Sequence, residues 1–397
     1  MSITATPTSL RNVRIWNGAS TDAVDLHLAD GRISAVTPAT PASPTDAGGV
    51  DGRGLLALPG LVNTHAHVDK SWWGHPWESY GGDGGTEGRI RHERARRDAL
   101  GIPSVEITSR VLAELVRHGT TGIRTHVDVD LGIGLRGIEA VREAASAYGE
   151  ALRVEVVAFP QDSVLRRPGV LDLLAEAARS GVEHLGGLDP ASIDRDPVGQ
   201  LDAIFALAAD HGTGIDIHLH DPAELGVFQV ELIIARTEAL GLQGRVNVAH
   251  GFAVAQVGDT RRRDLLQAMA ALDISMTSVA PLRLPQLPLH EMDAAGVRFG
   301  FGTDGIRDLW SPYGTGDLLG IAWQYARSSG IVRDEDLARV VDIATGGSLT
   351  VGATTTRLRV GERADIVLVG AENPMDALVR TPRRELVIGS GRILHQA

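Results

Sequence analysis

The sequence predicts an α/β protein: a (β/α)8 TIM barrel over residues 59–351, with a small β-sandwich domain formed by both termini, 1–58 and 352–397. Three observations carry this expectation. In the middle of the chain, eight apolar runs (61–67, 121–128, 153–159, 184–188, 214–220, 245–250, 274–280 and 298–303) alternate with helical stretches. Such alternation calls for a parallel sheet with right-handed crossovers, and eight units close into a barrel. Several of these runs end in His or Asp, and active sites of such barrels are built at strand C-terminal ends. The two termini share a different pattern of short segments with period-two alternation.

In chain order, Val13–Trp16, Val24–Leu28, 32–36 and 55–58 alternate apolar and polar residues, punctuated by Asn17-Gly18 and Asp30-Gly31, which is antiparallel hairpin chemistry. The Pro-, Thr- and Ala-rich stretch 37–49 reads as a surface loop. The helical stretches 104–118, 136–147, 170–180 and 198–210 are rich in Ala, Leu, Glu and Arg and amphipathic. After the barrel, 364–369, 385–388 and 392–394 return to the strand pattern of the N-terminus, so the two ends are expected to pair.

A net charge of −12 argues against a phosphate-tracking surface and hence against a nucleic-acid partner. Cysteine is absent, so there is no disulfide framework, thiol nucleophile or thiolate ligand. No apolar run approaches the ~20 residues of a membrane span, and the first ten residues lack a basic start, which reads as a cytoplasmic protein with no membrane partner.

The chemistry gathers where strands end. In Leu61-Val62-Asn63-Thr64-His65-Ala66-His67, the two histidines stand i, i+2 on one face of a strand and can reach one metal ion. His218 and His220 repeat the spacing, while His250 and Asp304 end two further runs. Three neutral imidazoles and one carboxylate suit Zn²⁺, with Fe²⁺ as the alternative, and leave a position open for water. His220 shares a face with His218, which favours a place in the site.

Composition singles out one further residue. The chain has 37 arginines and a single lysine, Lys70, three positions after His67. A compact ammonium differs from a guanidinium in donor geometry and in how readily its pKa moves, so Lys70 is expected to contact a substrate carbonyl or deliver a proton. Pairing with Asp69 or Glu78 is the plain alternative. The loop 71–89 holds Trp72, Trp73, Trp77 and Tyr80, and reads either as an aromatic cover that stacks on a flat substrate or as packing against a neighbouring element.

Taken together, His-Ala-His-Val-Asp-Lys-Ser (65–71), Arg-Thr-His-Val-Asp-Val-Asp (124–130), Gly-Gly-Leu-Asp-Pro-Ala (186–191), His-Leu-His-Asp (218–221) and the stretch from Asp304 to Trp310 resemble the amidohydrolase superfamily in its cytosine deaminase-like branch, over nearly the whole chain. The resemblance implies His65, His67, His218 and Asp304 as ligands of one divalent ion. Binding to the metal would lower the pKa of a water from about 15.7 towards about 7, giving metal-bound hydroxide, with Asp304 holding or taking its proton and His250 polarising the substrate. A lysine-bridged metal pair is excluded, because the end of strand four reads Gly186-Gly187-Leu188-Asp189. Where the branch has a proton-carrying glutamate three residues after the strand-five histidine, this chain has Asp221, so the proton route runs through His220, Asp221 or Lys70. Gln161 matches a glutamine that binds a ring amide, and Trp310 and Asp308 resemble a substrate-facing loop. Trp72 is a further substrate-binding candidate, and His126, His118, His184 and His211 are read as structural. The activity implied is replacement of an exocyclic amine or alkylamine on a pyrimidine-, triazine- or lactam-like heterocycle by oxygen. The alternatives are ring-opening of a cyclic amide or a silent binding protein on the same fold. Relatives imply a homo-oligomer.

Overall fold

A computed structural model describes residues 6–39, 48–346 and 357–397. The expected boundary at 351/352 and most of the loop 37–49 lie outside them. No helix among the described residues is long and apolar enough to cross a membrane.

The middle of the chain forms a TIM-barrel-like ring of parallel strands. Strand one is Leu61–His67, two Thr120–Asp128, three Arg153–Phe159, four His184–Leu188, five Gly214–Leu219, six Val246–His250, seven Ser275–Ser278 and eight Phe299–Phe301. Each pairs with its sequence neighbour, and after Gly302 and Thr303 the eighth resumes at Asp304–Gly305 to pair with Ala66 and His67 of strand one. The ring closes at this point because Gly302 lacks a side chain: a Cβ there would lie 2.3 Å from that of His65. Asn63 braces the seam, donating to Thr303 Oγ1 at 2.8 Å and accepting from Thr303 N at 3.1 Å. The helices Val105–Arg117, Arg136–Ser146, Val170–Arg179 and Pro197–His211 turn apolar faces to the ring, within two residues of the sequence-predicted ends.

Inward-facing residues stack in layers because side chains on a strand alternate. Arg124 and Asp216 lie two residues before His126 and His218, one layer deeper. Arg124 is fully buried and donates to Glu155 at 3.0 Å and to Asp216 at 3.1 Å, so an ion-paired floor underlies the imidazoles.

The two termini share one sheet. The strands Ser9–Trp16, Thr21–Ala29, Arg32–Pro38, Leu56–Pro59, Ile366–Val369, Arg384–Gly389 and Arg392–Gln396 form one continuous mixed sheet, with the short Gly49–Asp51 added on the first. Leu56–Pro59 is the join, parallel to Ser9–Trp16 and antiparallel to Ile366–Val369. The Asp30-Gly31 turn has both residues at positive φ, 49° and 72°, as a two-residue hairpin needs. The two ends of the sheet meet where Ile33 N donates to Glu362 O at 2.9 Å. One apolar cluster, including Leu10, Leu26, Ile33, Ile366, Ile388 and Ile393, fills the space this leaves.

Candidate metal centre and active site

The strand ends place His65, His67, His218, His250 and Asp304 around one point at the barrel mouth. His67 Nε2 lies 3.3 Å from both His218 Nε2 and Asp304 Oδ1, and His65 Nε2 lies 3.6 Å from the same oxygen. Four donors bound at about 2.1 Å in a tetrahedron would be about 3.4 Å apart, a spacing that His67 keeps with His218 and with Asp304; within 4.8 Å the ligand atoms gather as His65, His67 and Asp304 and as His65, His126 and His218. Both nitrogens of His65 and Nδ1 of His218 are buried and have no hydrogen-bond partner among the described residues. Buried polar atoms normally find partners, and orphans gathered in this way fit donors kept for a cation. Burial, then the Lys70 ammonium, hold His67 down to about 3, so it is neutral, as a ligand must be. Its Nδ1 lies 3.1 Å from the His126 carbonyl, which turns Nε2 towards the cluster. Burial, reinforced by neighbouring imidazoles, also keeps His218 and His250 well below the ordinary histidine range.

His126 belongs to this cluster although its sequence reading was structural. Its ring centroid is 4.3 Å from those of both His65 and His218, and its ligand atoms group with theirs. The signal was the inward alternation of Arg124, His126 and Asp128. Of the other histidines read as structural, His184 is buried at the start of strand four with Glu155 2.9 Å away, and His118 and His211 follow or end helices on the outside.

His220 and Asp221 separate. His220 is exposed at the mouth, its Nδ1 is 3.0 Å from Asp189 Oδ2, and its ring stands 4.1 Å from that of His250. Asp189 was noted only as part of a motif, yet it also accepts from His220 N at 2.5 Å and so fixes both backbone and ring. Asp221 instead is buried, accepting from Ser192 Oγ and from Gln229 Nε2 at 2.9 Å. Its carboxylate is tied to the turn after strand four and to the helix Ala223–Ala239, which corrects its reading as a proton carrier.

Lys70 is buried and pairs with neither Asp69 nor Glu78. Nζ donates to Asp128 Oδ1 at 3.1 Å and to Gln161 Oε1, and Glu93 Oε2 is 3.7 Å away. Glu78 pairs with Arg96. Burial would lower the Lys70 pKa, but Asp128, Glu93, Asp69 and Asp308 more than reverse this and hold it above the ordinary lysine range. Its two hydrogen bonds and the acids around it favour the charged form, which places Lys70 as a hydrogen-bond donor. The counterpart is strain on the acids. Burial and Asp128 raise Asp69 to about 7, and burial raises Asp308 to about 6.

Two substrate-binding candidates also change. Trp72 is 1% exposed and belongs to the main core, its ring under the Arg307 guanidinium 4.1 Å away. The start of the loop is stitched to the chain after strand eight through Trp72 N to Arg307 O and Ser71 Oγ to Ile306 O, and Trp77 and Tyr80 are the exposed aromatics. Gln161 is buried, with its donors committed to Glu93 at 3.0 Å and Asp128 at 3.1 Å and its oxygen to Lys70, leaving a second lone pair as its one spare function. Asp308 accepts from Trp310 N and Ser311 N and shapes its own turn. Trp310 is half-buried, with its ring centroid 5.4 Å from Lys70 Nζ. Glu93, from the helix Gly85–Leu100, is close to Gln161, Trp310 and Lys70; in sequence it lies in an arginine-rich run with no motif to mark it.

A parallel barrel with an imidazole and carboxylate cluster at its C-terminal mouth defines a metal-dependent hydrolase architecture. The model of the amidohydrolase family matches residues 104–395, and the chain belongs to that family. It is similar to the crystal structure of N-isopropylammelide isopropylaminohydrolase from Burkholderia multivorans, at 37% identity and a TM-score of 0.90 over 97% of both chains. N-isopropylammelide isopropyl amidohydrolase of Pseudomonas sp. is 27% identical over 363 residues, covering 87% of each chain. The 5-methylcytosine deaminase of Klebsiella pneumoniae shares the fold, with 23% identity, a TM-score of 0.84 and 98% of each chain covered.

Proposed function

We propose that this protein removes an exocyclic alkylamine or amine from a nitrogen heterocycle, leaving oxygen in its place, and that N-substituted amino-oxo-s-triazines of the N-isopropylammelide type are its first substrate class. The observation that carries the reading is the likeness to the Burkholderia multivorans isopropylaminohydrolase over 97% of both chains at 37% identity. The donor set His65, His67, His218 and Asp304 would hold one divalent ion, Zn²⁺ or Fe²⁺. When bound, that ion supplies Lewis acidity and a water of lowered pKa.

The chain's own residues divide the remaining work. His250, neutral and 4.8 Å from the His65 ring, polarises the substrate's leaving or carbonyl group. His220, held by Asp189 and open to the mouth, moves the proton to the departing nitrogen. Lys70 donates to a ring carbonyl, and the Trp310 ring supplies a flat surface beside it. We infer further that the chain divides at 58/59 and 351/352 into terminal and barrel domains, works in the cytoplasm and assembles as a homo-oligomer.

The test is a panel: N-isopropylammelide, ammelide, cytosine and a five-membered cyclic amide, each incubated with enzyme reconstituted with Zn²⁺ or Fe²⁺. Release of isopropylamine or ammonia with the ring intact supports the reading. Ring opening would replace it with cyclic amide hydrolysis. Failure to bind either metal, with no turnover of any member, would replace it with a silent binding protein.

A further inference from the structure

We propose that Glu93 is the positioning residue of the substrate-recognition wall: one carboxylate holds Gln161, Trp310 and Lys70 in register for a flat ring that presents a carbonyl oxygen. This inference rests on the function proposed above. The helix Gly85–Leu100 buries Ile90, Glu93, Arg97 and Leu100, spaced i, i+3, i+7 and i+10 along one face. Glu93 therefore occupies a stripe position where an apolar residue would ordinarily sit, and a buried carboxylate is tolerated only when it is paired and hydrogen-bonded.

Its partners account for that burial, and they come from three edges of the barrel mouth. Oε1 accepts from Gln161 Nε2 at 3.0 Å, just past strand three. Oε2 accepts from Trp310 Nε1 at 2.6 Å, beyond strand eight, and stands 3.7 Å from Lys70 Nζ, beyond strand one. Lys70 has three hydrogens, of which Asp128 Oδ1 and Gln161 Oε1 take two. The third is left for a ligand oxygen, and a heterocycle stacked on Trp310 would bring a ring carbonyl to it. Glu93 sets the tilt of the indole and the place of the ammonium together, so it acts through both without touching substrate.

Glu93→Gln tests this, because the amide keeps the shape but cannot satisfy the same partners. With its nitrogen towards Gln161 two donors face each other, and with its nitrogen towards Trp310 it opposes the indole N–H and the ammonium. The first readout needs no substrate: Trp310 emission, obtained by subtracting the spectrum of W310F from wild type and of E93Q/W310F from E93Q. The Trp310 band should shift and its acrylamide quenching should rise about twofold or more as the indole is released. Glu93→Asp keeps the charge but withdraws it by one methylene, and should give the same shift if E93Q does not fold.

The second readout is kinetic, with N-isopropylammelide at constant metal content. E93Q should raise KM about tenfold or more while kcat falls less than about threefold, the pattern of lost binding. In the W310F background the KM effect of E93Q should be smaller than in wild type, since the cycle removes their shared contact while those to Gln161 and Lys70 remain. Unchanged Trp310 emission in both Glu93 variants, additive effects in the cycle, or a fall in kcat accompanied by metal loss would each overturn the inference. If the wild type turns over no member of the panel, the functional proposal fails while the emission comparison still decides the role of Glu93.

Discussion

Lys70→Met replaces the ammonium that donates to Asp128 and stands near Glu93, Asp69 and Asp308 with an apolar side chain of similar length. Removing one partner of a buried ionic cluster leaves charge uncompensated, at a cost of about 3–5 kcal/mol. Unfolding entropy near the melting point is about 2.1 cal/mol/K per residue, or about 0.8 kcal/mol/K for a chain of 397 residues. Lys70→Met should therefore lower Tm by about 4–6 °C in a thermal melt, and kcat/KM for an amine-releasing substrate should fall about 10²-fold or more. Lys70→Arg keeps the charge but must seat a larger planar group in a buried space already filled by Asp128 and Gln161, an overpacking cost of about 1–3 kcal/mol. It should recover part of the Tm and little of the activity. An unchanged Tm in Lys70→Met would refute the charge argument, and a fully active arginine variant would refute the claim that the ammonium itself is needed.

Asp304→Ala and His218→Ala should each take metal content from about one equivalent to well below it, and chelating the wild type should lower Tm by about 3 °C if the ion is present at about a hundred times its Kd; plasma emission analysis and a melt check both. His220→Asn should lower kcat by roughly 10²- to 10⁴-fold and Asp189→Asn by a smaller factor through loss of the ring's anchor, whereas Asp221→Asn should cost less than about tenfold; equal losses at 220 and 221 in steady-state kinetics would contradict their separate placement. Asp308 binds its proton more tightly when folded, at about 6 against 3.8, so its share of stability is intact below about pH 4 and lost as pH rises to about 6. Asp308→Asn should consequently gain stability over wild type towards pH 8, by at most about 3 kcal/mol, and denaturant melts at pH 5 and 8 should show the gain growing with pH; a gain equal at both would mean the carboxyl carries no raised pKa.

Strand periodicity made much of this molecule legible. Alternation determines which residues of a barrel strand face inward, and direction determines that the last of them reach the mouth, so His65, His67, His218, His250 and Asp304 could be read as one group from their place in the pattern. The pairing of the two termini was legible for the same reason, since Asp30-Gly31 and Asn17-Gly18 mark hairpins locally. Their assembly into one continuous sheet was not, because it depends on Leu56–Pro59 pairing parallel on one side and antiparallel on the other, and a strand's own pattern does not name its neighbours.

Beyond the strand ends, adjacency in sequence says little about direction in space. His220 and Asp221 are consecutive, yet the turn after strand five sends one ring to the mouth against Asp189 and the other carboxylate back to Ser192 and Gln229. Trp72 sits in a glycine- and tryptophan-rich loop that reads as a cover, but the stitching of that loop to Ile306 and Arg307 turns its indole into the core. Lys70 could be marked by composition alone, whereas its charged form is favoured by four acids at 69, 93, 128 and 308 that only the closed barrel brings together. Glu93 is the clearest case: among five arginines of its own helix it has the look of a surface residue, and its meaning arises from Gln161 and Trp310, 68 and 217 positions away. The sequence by itself determined the strand order and the donors each strand could bring to the mouth, because both follow from local periodicity. The tertiary structure alone decided which polar groups are paired with one another and which are left for a ligand, because hydrogen bonding and charge compensation depend on distances between segments that no local pattern encodes.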